Sequence, residues 1–203
     1  MRIYSYVVAR DYGFAPNPFH GFCTLATCKP VIRRVARVGD WVVGAGSAET
    51  QRRGFLVYAM KVTEVLTFDE YWEDSRFFEK RPNLHGSVKQ AYGDNIYHRD
   101  ERSGAWIQED SHHSLENGAT NPANLNIDTQ SPKVLISTDF AYYGSEGPKI
   151  PAELRNFNGY DICATRGHKS DFPVALVAGF EKWFRSLADH GFVAAPADWD
   201  RNN

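Results

Sequence analysis

Hydrophobic and polar positions recur along this chain with two periods, and the switches between them mark its elements. Residues 3–9 (IYSYVVA) are β-branched and aromatic and predict a first strand. Pro30 suits the first turn of a helix. Val31, Ile32, Val35 and Ala36 follow at helical spacing with Arg33, Arg34 and Arg37 opposite, so a short amphipathic helix should end at Gly39-Asp40. Residues 41–45 and 54–66 predict two strands joined by the polar, glycine-bounded GSAETQRRG, a hairpin-like connection. The second run is apolar on both alternating faces, as expected of a central strand buried on both sides.

Thr67-Phe-Asp-Glu70 is a capping-box pattern, and Phe68, Tyr71, Trp72 and Phe78 extend it into an amphipathic helix with an acidic outer face. YGDNIYH and residues 105–108 predict short strands, as do VLIST (134–138) and residues 160–164. Phe180, Trp183, Phe184, Leu187 and Ala188 predict a last helix with Gly191 as its C-terminal cap, followed by a tail draped over the surface. Residues 109–132 are polar and Asn-rich over more than the ~12–15 residues usual for a structureless loop, so this insertion is either mobile or functional. Strands and helices do not alternate strictly, which disfavours a doubly wound parallel sheet. The expected fold is a single α+β domain over residues 1–203: a compact, curved or barrel-like mixed sheet with inserted helices.

With 203 residues, 42% apolar and 14% aromatic, the chain can bury a core without disulfides or metal, and disorder is excluded. A net charge of −2 excludes a uniformly basic nucleic-acid binder. The charge is nevertheless polarised. Residues 29–61 carry seven basic against two acidic side chains, and residues 69–79 five acidic against one basic. No stretch approaches the ~18 apolar residues of a membrane helix, and the first residues lack a signal pattern, so a cytoplasmic protein is expected. Three cysteines, Cys23, Cys28 and Cys163, are too few for a disulfide scaffold and are expected to be buried free thiols.

No phosphate-cradling glycine loop, nucleophile elbow or His-Glu-x-x-His run is present. His98, His112 and His113 with Asp94 form only a loose metal-ligand set, so neither metal nor cofactor is expected. Cys23 or Cys28 as nucleophile, with His20 or His168 as base, is chemically conceivable but has no spacing in its favour. Three loops combine rings with small hydrogen-bonding residues: Asn17–Phe19, Asp94-Asn95-Ile96-Tyr97 with Trp106, and Asp139 with Tyr142 and Tyr143. Rings beside amides and carboxylates suit a flat polar ligand such as a nucleobase. The competing reading makes the rings core and the Asx residues turn formers. Lys29, Arg33, Arg34, Arg52 and Arg53 are candidate phosphate contacts, with a solvated helix face as the alternative.

GDWVVG (39–44), with the strand behind it, resembles the turn of PUA-like domains, small curved barrels that bind RNA or an extruded base. The longer pattern NPFHGFCTLATCKPVIRRVARVGDWVVGAGS, then GDNIYH, then STDFAYYGSEGPKIP, is similar to the second nucleotide-modification-associated domain family of bacteria and phages, which is grouped with enzymes that modify DNA bases. The motif positions are Asn17, Phe19, Cys23, Lys29, Arg33, Asp40 and Trp41, then Asp94, Asn95 and Tyr97, then Phe140, Tyr142 and Tyr143. The resemblance implies a nucleotide or nucleic-acid partner.

Three functions follow as expectations. The first is a module that recognises a base, modified or plain, with Trp41, Tyr97, Trp106, Tyr142 or Tyr143 stacking and Asn17, Asp94, Asn95 or Asp139 reading its edge. The second is a hydrolase, transferase or glycosylase acting on a nucleotide or base, with Asp94 or Asp139 as general acid or base. The third is an interaction protein, a homodimer built on the 109–132 loop or the last helix.

Overall fold

The computed structural model describes residues 1–199. In chain order its strands and helices are β1 (Ile3–Val8), β2 (Cys23–Leu25), α1 (Pro30–Val35), β3 (Trp41–Gly46), β4 (Leu56–Lys61), β5 (Glu64–Thr67), α2 (Phe68–Glu73), α3 (Val88–Ala91), β6 (Tyr97–Arg99), β7 (Trp106–Gln108), α4 (Pro122–Asp128), β8 (Lys133–Ser137), β9 (Asp139–Tyr142), α5 (Ala152–Arg155), β10 (His168–Lys169), α6 (Val174–Arg185) and β11 (Gly191–Phe192). They pack as two compact units. The first takes residues 1–11, 36–63 and those from 137 on; the second takes residues 12–35 and 64–136.

The first unit is a mixed sheet of order β10-β1-β3-β4-β9-β11. β1 and β3 run parallel from Ile3 opposite Trp41, and β4 runs antiparallel to both β3 and β9. The sheet ends in two different edge strands, so among the described residues it is open. The mixed α+β class holds, and the barrel-like closure does not. Residues 56–60 are buried on both faces, as their sequence implies. Gly44 allows β3 to lie against Tyr58, because a Cβ there would strike the tyrosine ring and Val8. On the other face α6 presents Leu176, Val177, Phe180 and Phe184 to Ile3, Trp41 and Val43. The Trp41 ring is enclosed edge-on by Phe180 at 5.4 Å and Phe184 at 4.6 Å. Each such side chain adds roughly 1.5–3 kcal/mol by leaving water.

In the second unit β8 lies between β2 and β5, β6 pairs with β7, and Phe14, Phe68, Tyr71, Phe77, Ile96 and Tyr97 form the core. The capping box is present: Glu70 N–H donates to Thr67 Oγ1 at 3.2 Å, and Thr67 N–H donates to Glu70 Oε2 at 2.7 Å. The helix it starts is shorter than expected. Asp74 ends α2 and also caps a 3₁₀ turn over Ser75–Lys80.

Four further expectations are corrected. The single strand expected over residues 54–66 is two strands in two sheets, parted where Thr63 accepts the Thr138 N–H. In α1, Val31 and Val35 are exposed while Ile32 and Arg33 point inward. Residues 160–164 form no strand, only a Phe157–Tyr160 bridge. α6 ends on Ser186, and Gly191, at φ 78°, opens β11 instead of capping the helix. No helix among the described residues is long and apolar enough to cross a membrane.

Candidate functional site

The buried polar groups of the second unit lead to its chemistry. Lys80 Nζ donates to Asn17 Oδ1 at 2.6 Å and to the Asn17 and Phe22 carbonyls and Thr24 Oγ1 at 3.1 Å each. Asp94 accepts the Thr24 hydroxyl at 2.7 Å and the Tyr71 hydroxyl at 2.8 Å. Burial pushes the Lys80 ammonium down to about 8, against the pull of Asp94, and pushes the Asp94 carboxyl up. Both side chains are sealed from solvent, so this network is structural scaffolding.

From that scaffold β2 runs on to Cys28, where the chain turns through two left-handed residues, Cys28 at φ 56° and Lys29 at φ 42°. Arg33 holds the turn. Its Nε donates to the Cys28 carbonyl at 2.8 Å, and its Nη atoms donate to the carbonyls of Ser131 at 2.6 Å, Lys133 at 2.8 Å and Asp128 at 2.6 Å. Burial lowers the guanidinium to about 10, and Asp128 opposes the shift, so it stays charged at neutral pH.

Asp128 closes α4, a helix that Asn121 caps and Pro122 starts. Its carboxylate accepts the Cys28 N–H at 2.7 Å and the Tyr97 hydroxyl at 2.9 Å, and meets His113 Nδ1 at 2.9 Å. The other ring nitrogen, His113 Nε2, lies 3.7 Å from Cys28 Sγ. The His113 carbonyl accepts Asn124 Nδ2 at 2.8 Å, and its N–H reaches Ser111 Oγ at 3.3 Å. A thiol, an imidazole and a carboxylate therefore stand in line, with the imidazole held from the backbone side. Asp128 is an acceptor, so Nδ1 carries a proton and Nε2 faces the sulfur. Burial works against a charged His113 ring, but hydrogen bonds to Asp128 and Cys28 and their charges outweigh it and raise its pKa to about 9.

Rings surround this line. Phe14 lies 4.6 Å from His113, and Tyr12 stacks on Tyr92 at 5.2 Å. His112 sits against Tyr12, Phe14 and Tyr92 at 5.0–5.2 Å. His112 is exposed, Tyr12 and Tyr92 are half-buried, and Lys29 adjoins Cys28 along the chain. Partial desolvation and the charge of His113 lower the His112 pKa, which keeps this ring neutral.

The second unit also holds an open cavity of about 780 Å³ lined by Trp72, Phe78, Arg81, His98 and Arg99. His98 stacks on Trp72 at 4.0 Å, and Arg81 lies 3.7 Å from the Trp72 ring. Arg102 lines it too, along with Asp69, Glu73, Asp100 and Glu101, so its charges are mixed.

The expected site residues do not gather in one pocket. Trp41, Tyr142 and Tyr143 are core of the first unit; Tyr142 bonds Asp11 through its hydroxyl, and Tyr143 donates to the Asp189 carbonyl at 2.6 Å. Asn17, Phe19, Asp94 and Asn95 are buried in the second unit, and Asn95 donates to the Tyr71 carbonyl at 3.0 Å. Trp106 is half-buried under Arg99 at 4.5 Å. Of these residues only Tyr97 reaches the line, through its hydroxyl. Asp139 is ion-paired to Arg185 at 2.5 Å. Arg33 is corrected from a phosphate contact to a buried clamp, because all its bonds go to carbonyls. Arg52 donates to the Gly147 carbonyl at 2.9 Å, while Arg34 and Arg53 are exposed.

Cys28 is half-buried, unlike the buried Cys23 and Cys163. The ring nitrogen beside its sulfur belongs to His113, and not to His20 or His168, which the sequence offers. Among the described residues no three His, Cys, Asp or Glu side chains converge as metal ligands. Sequence reasoning missed Asp128 and Tyr92. The available signal was the coincidence of His112-His113 and Asp128 inside one unusually long polar segment.

A mixed α+β chain with a cysteine–histidine–aspartate line beneath a ring-lined rim is the class of protein that fold and site define. The chain belongs to the nucleotide modification associated domain 2 family, whose model matches residues 1–203. No curated protein and no solved structure matches it.

Proposed function

We propose that this protein binds a nucleotide, or a base of a nucleic acid, at the rim formed by His112, Tyr12 and Tyr92. The observation that supports this reading is the exposed His112 ring packed against two half-buried tyrosines that stack on each other, in a family associated with nucleotide modification. Planar side chains offer a stacking surface, and Lys29 and Arg34 supply cations for phosphates. A modified base is the preferred ligand of this reading. The enzyme reading moves from Asp94 and Asp139, one sealed and one ion-paired, to the line through Cys28.

The test is binding to single- and double-stranded oligonucleotides, with plain and modified bases, over a salt series. Affinity should fall with salt, and His112→Ala or Tyr92→Ala should each cost about 1–3 kcal/mol. Unchanged affinity in both variants, or no binding at low salt, overturns the reading.

A further inference from the structure

We infer that Cys28 is a nucleophile that adds to C6 of a pyrimidine ring, with His113 as its proton-transfer partner and Asp128 positioning that histidine. The inference rests on the reading that a base is seated at the rim. Three features carry it. Cys28 Sγ is 3.7 Å from His113 Nε2, and His113 Nδ1 is 2.9 Å from Asp128, the order in which a carboxylate fixes the imidazole tautomer for a neighbouring nucleophile. Cys28 is half-buried, whereas the other two thiols are buried. The rings of Phe14 and His112 stand beside the line, where a flat heterocycle would lie.

A thiolate is a soft nucleophile, and the soft electrophilic carbon of a nucleobase is C6 of a pyrimidine, conjugated through C5 to the C4 group. Purines have no equivalent open position. In the step, the thiolate pair forms the S–C6 bond. The C5=C6 π pair moves to C5 and takes the proton from His113 Nε2, leaving a neutral imidazole. Loss of the original C5 hydrogen to water on the opposite face then restores the C5=C6 bond and expels the thiolate, and the neutral His113 takes a proton back from solvent. The balance closes without oxidant, reductant or co-reactant, and the only net result is exchange of the C5 hydrogen with solvent. Where a separate electrophile is supplied, the same adduct activates C5 for substitution.

The groups facing His113 are Asp128 in front, Tyr97 and Arg33 around that carboxylate, and His112 beside it. Neutralising Asp128 therefore changes the pH at which His113 exchanges its proton, and that distinguishes positioning from mere support of the fold.

The experiment incubates the full chain with cytidine and uridine nucleotides, and with pyrimidine oligonucleotides, in heavy water. Deuterium at C5 is read by NMR and mass spectrometry, with ligand binding followed in the same sample by saturation transfer. Expected is exchange that Cys28→Ser abolishes, that His113→Gln slows by on the order of 10²-fold, and whose pH profile Asp128→Asn moves. Circular dichroism and the iodoacetamide reactivity of each variant report whether it has folded. Binding without exchange overturns this inference and leaves the base-binding reading standing. No binding of any pyrimidine overturns both. Exchange retained in Cys28→Ser overturns the assignment of the nucleophile.

Discussion

The two units solve the same packing problem in opposite ways. Around Trp41 the first unit stacks apolar groups, with Phe180 and Phe184 closing on the ring. Its nearby charges, Asp139 with Arg185 and Lys61 with Glu181, pair where solvent reaches them. The second unit encloses Arg33, Lys80, Asp94 and Asp128, all at 1% relative exposure or less. Burying a charge costs several kcal/mol before its partners compensate, and apolar side chains of similar size often do as well for stability. Charges kept inside despite that cost fix groups in place. Here they fix the turn at Cys28 and the carboxylate behind His113.

Removing one interior group from each unit puts the largest load on this contrast. Lys80→Ala should destabilise by about 3–5 kcal/mol, since it strands the Asn17 and Thr24 acceptors and leaves Asp94 buried without its cation. Phe180→Ala should cost about 3–5 kcal/mol through the cavity it leaves. Denaturant unfolding measures both, and pH separates them. The folded Lys80 has shed its proton above about 8, while the unfolded lysine keeps it to 10.5. The stability of the parent chain relative to Lys80→Ala should therefore rise between those values. Phe180→Ala should show no such difference.

His113 gives the opposite sign. Its pKa rises from 6.5 to about 9 on folding, so its stabilisation is complete below pH 6.5 and is lost as pH climbs through 9. The contribution is on the order of 3 kcal/mol. Comparing unfolding of the parent and His113→Gln at pH 6 and pH 10 measures it, and an equal difference at both values breaks the link to Asp128. The smallest effect belongs to the first unit. Arg185→Ala should cost only about 0.2–1 kcal/mol despite its close contact with Asp139, because the pair faces water.

Local signals in the chain were reliable where the physics is local. The Thr67–Glu70 box started a helix because its two hydrogen bonds span three residues. Residues 41–46 and 56–60 became strands because alternating apolar side chains can be buried on both faces of a central strand. The apolar stripe of α6 found its core for the same reason. Rings and charges were harder to place. Trp41, Tyr142 and Tyr143 have the composition of a binding pocket, and packing took them into the core. Arg33 lies in a basic run, yet four carbonyls lie within its reach once α1 and β8 are formed.

What the sequence determined by itself is most of the element types, the mixed class and the family. Tertiary structure alone decided the site. Cys28 and His113 are 85 residues apart and Cys28 and Asp128 are 100, separations at which no hydrogen-bond pattern or periodicity links one residue to another. Only the packing of the segments around Cys28, His113 and Asp128 on one another brings a thiol, an imidazole and a carboxylate within reach. The free energy for that closure comes from the burial of Phe14, Phe68 and Tyr97, side chains whose sequence pattern says nothing about the chemistry they enclose.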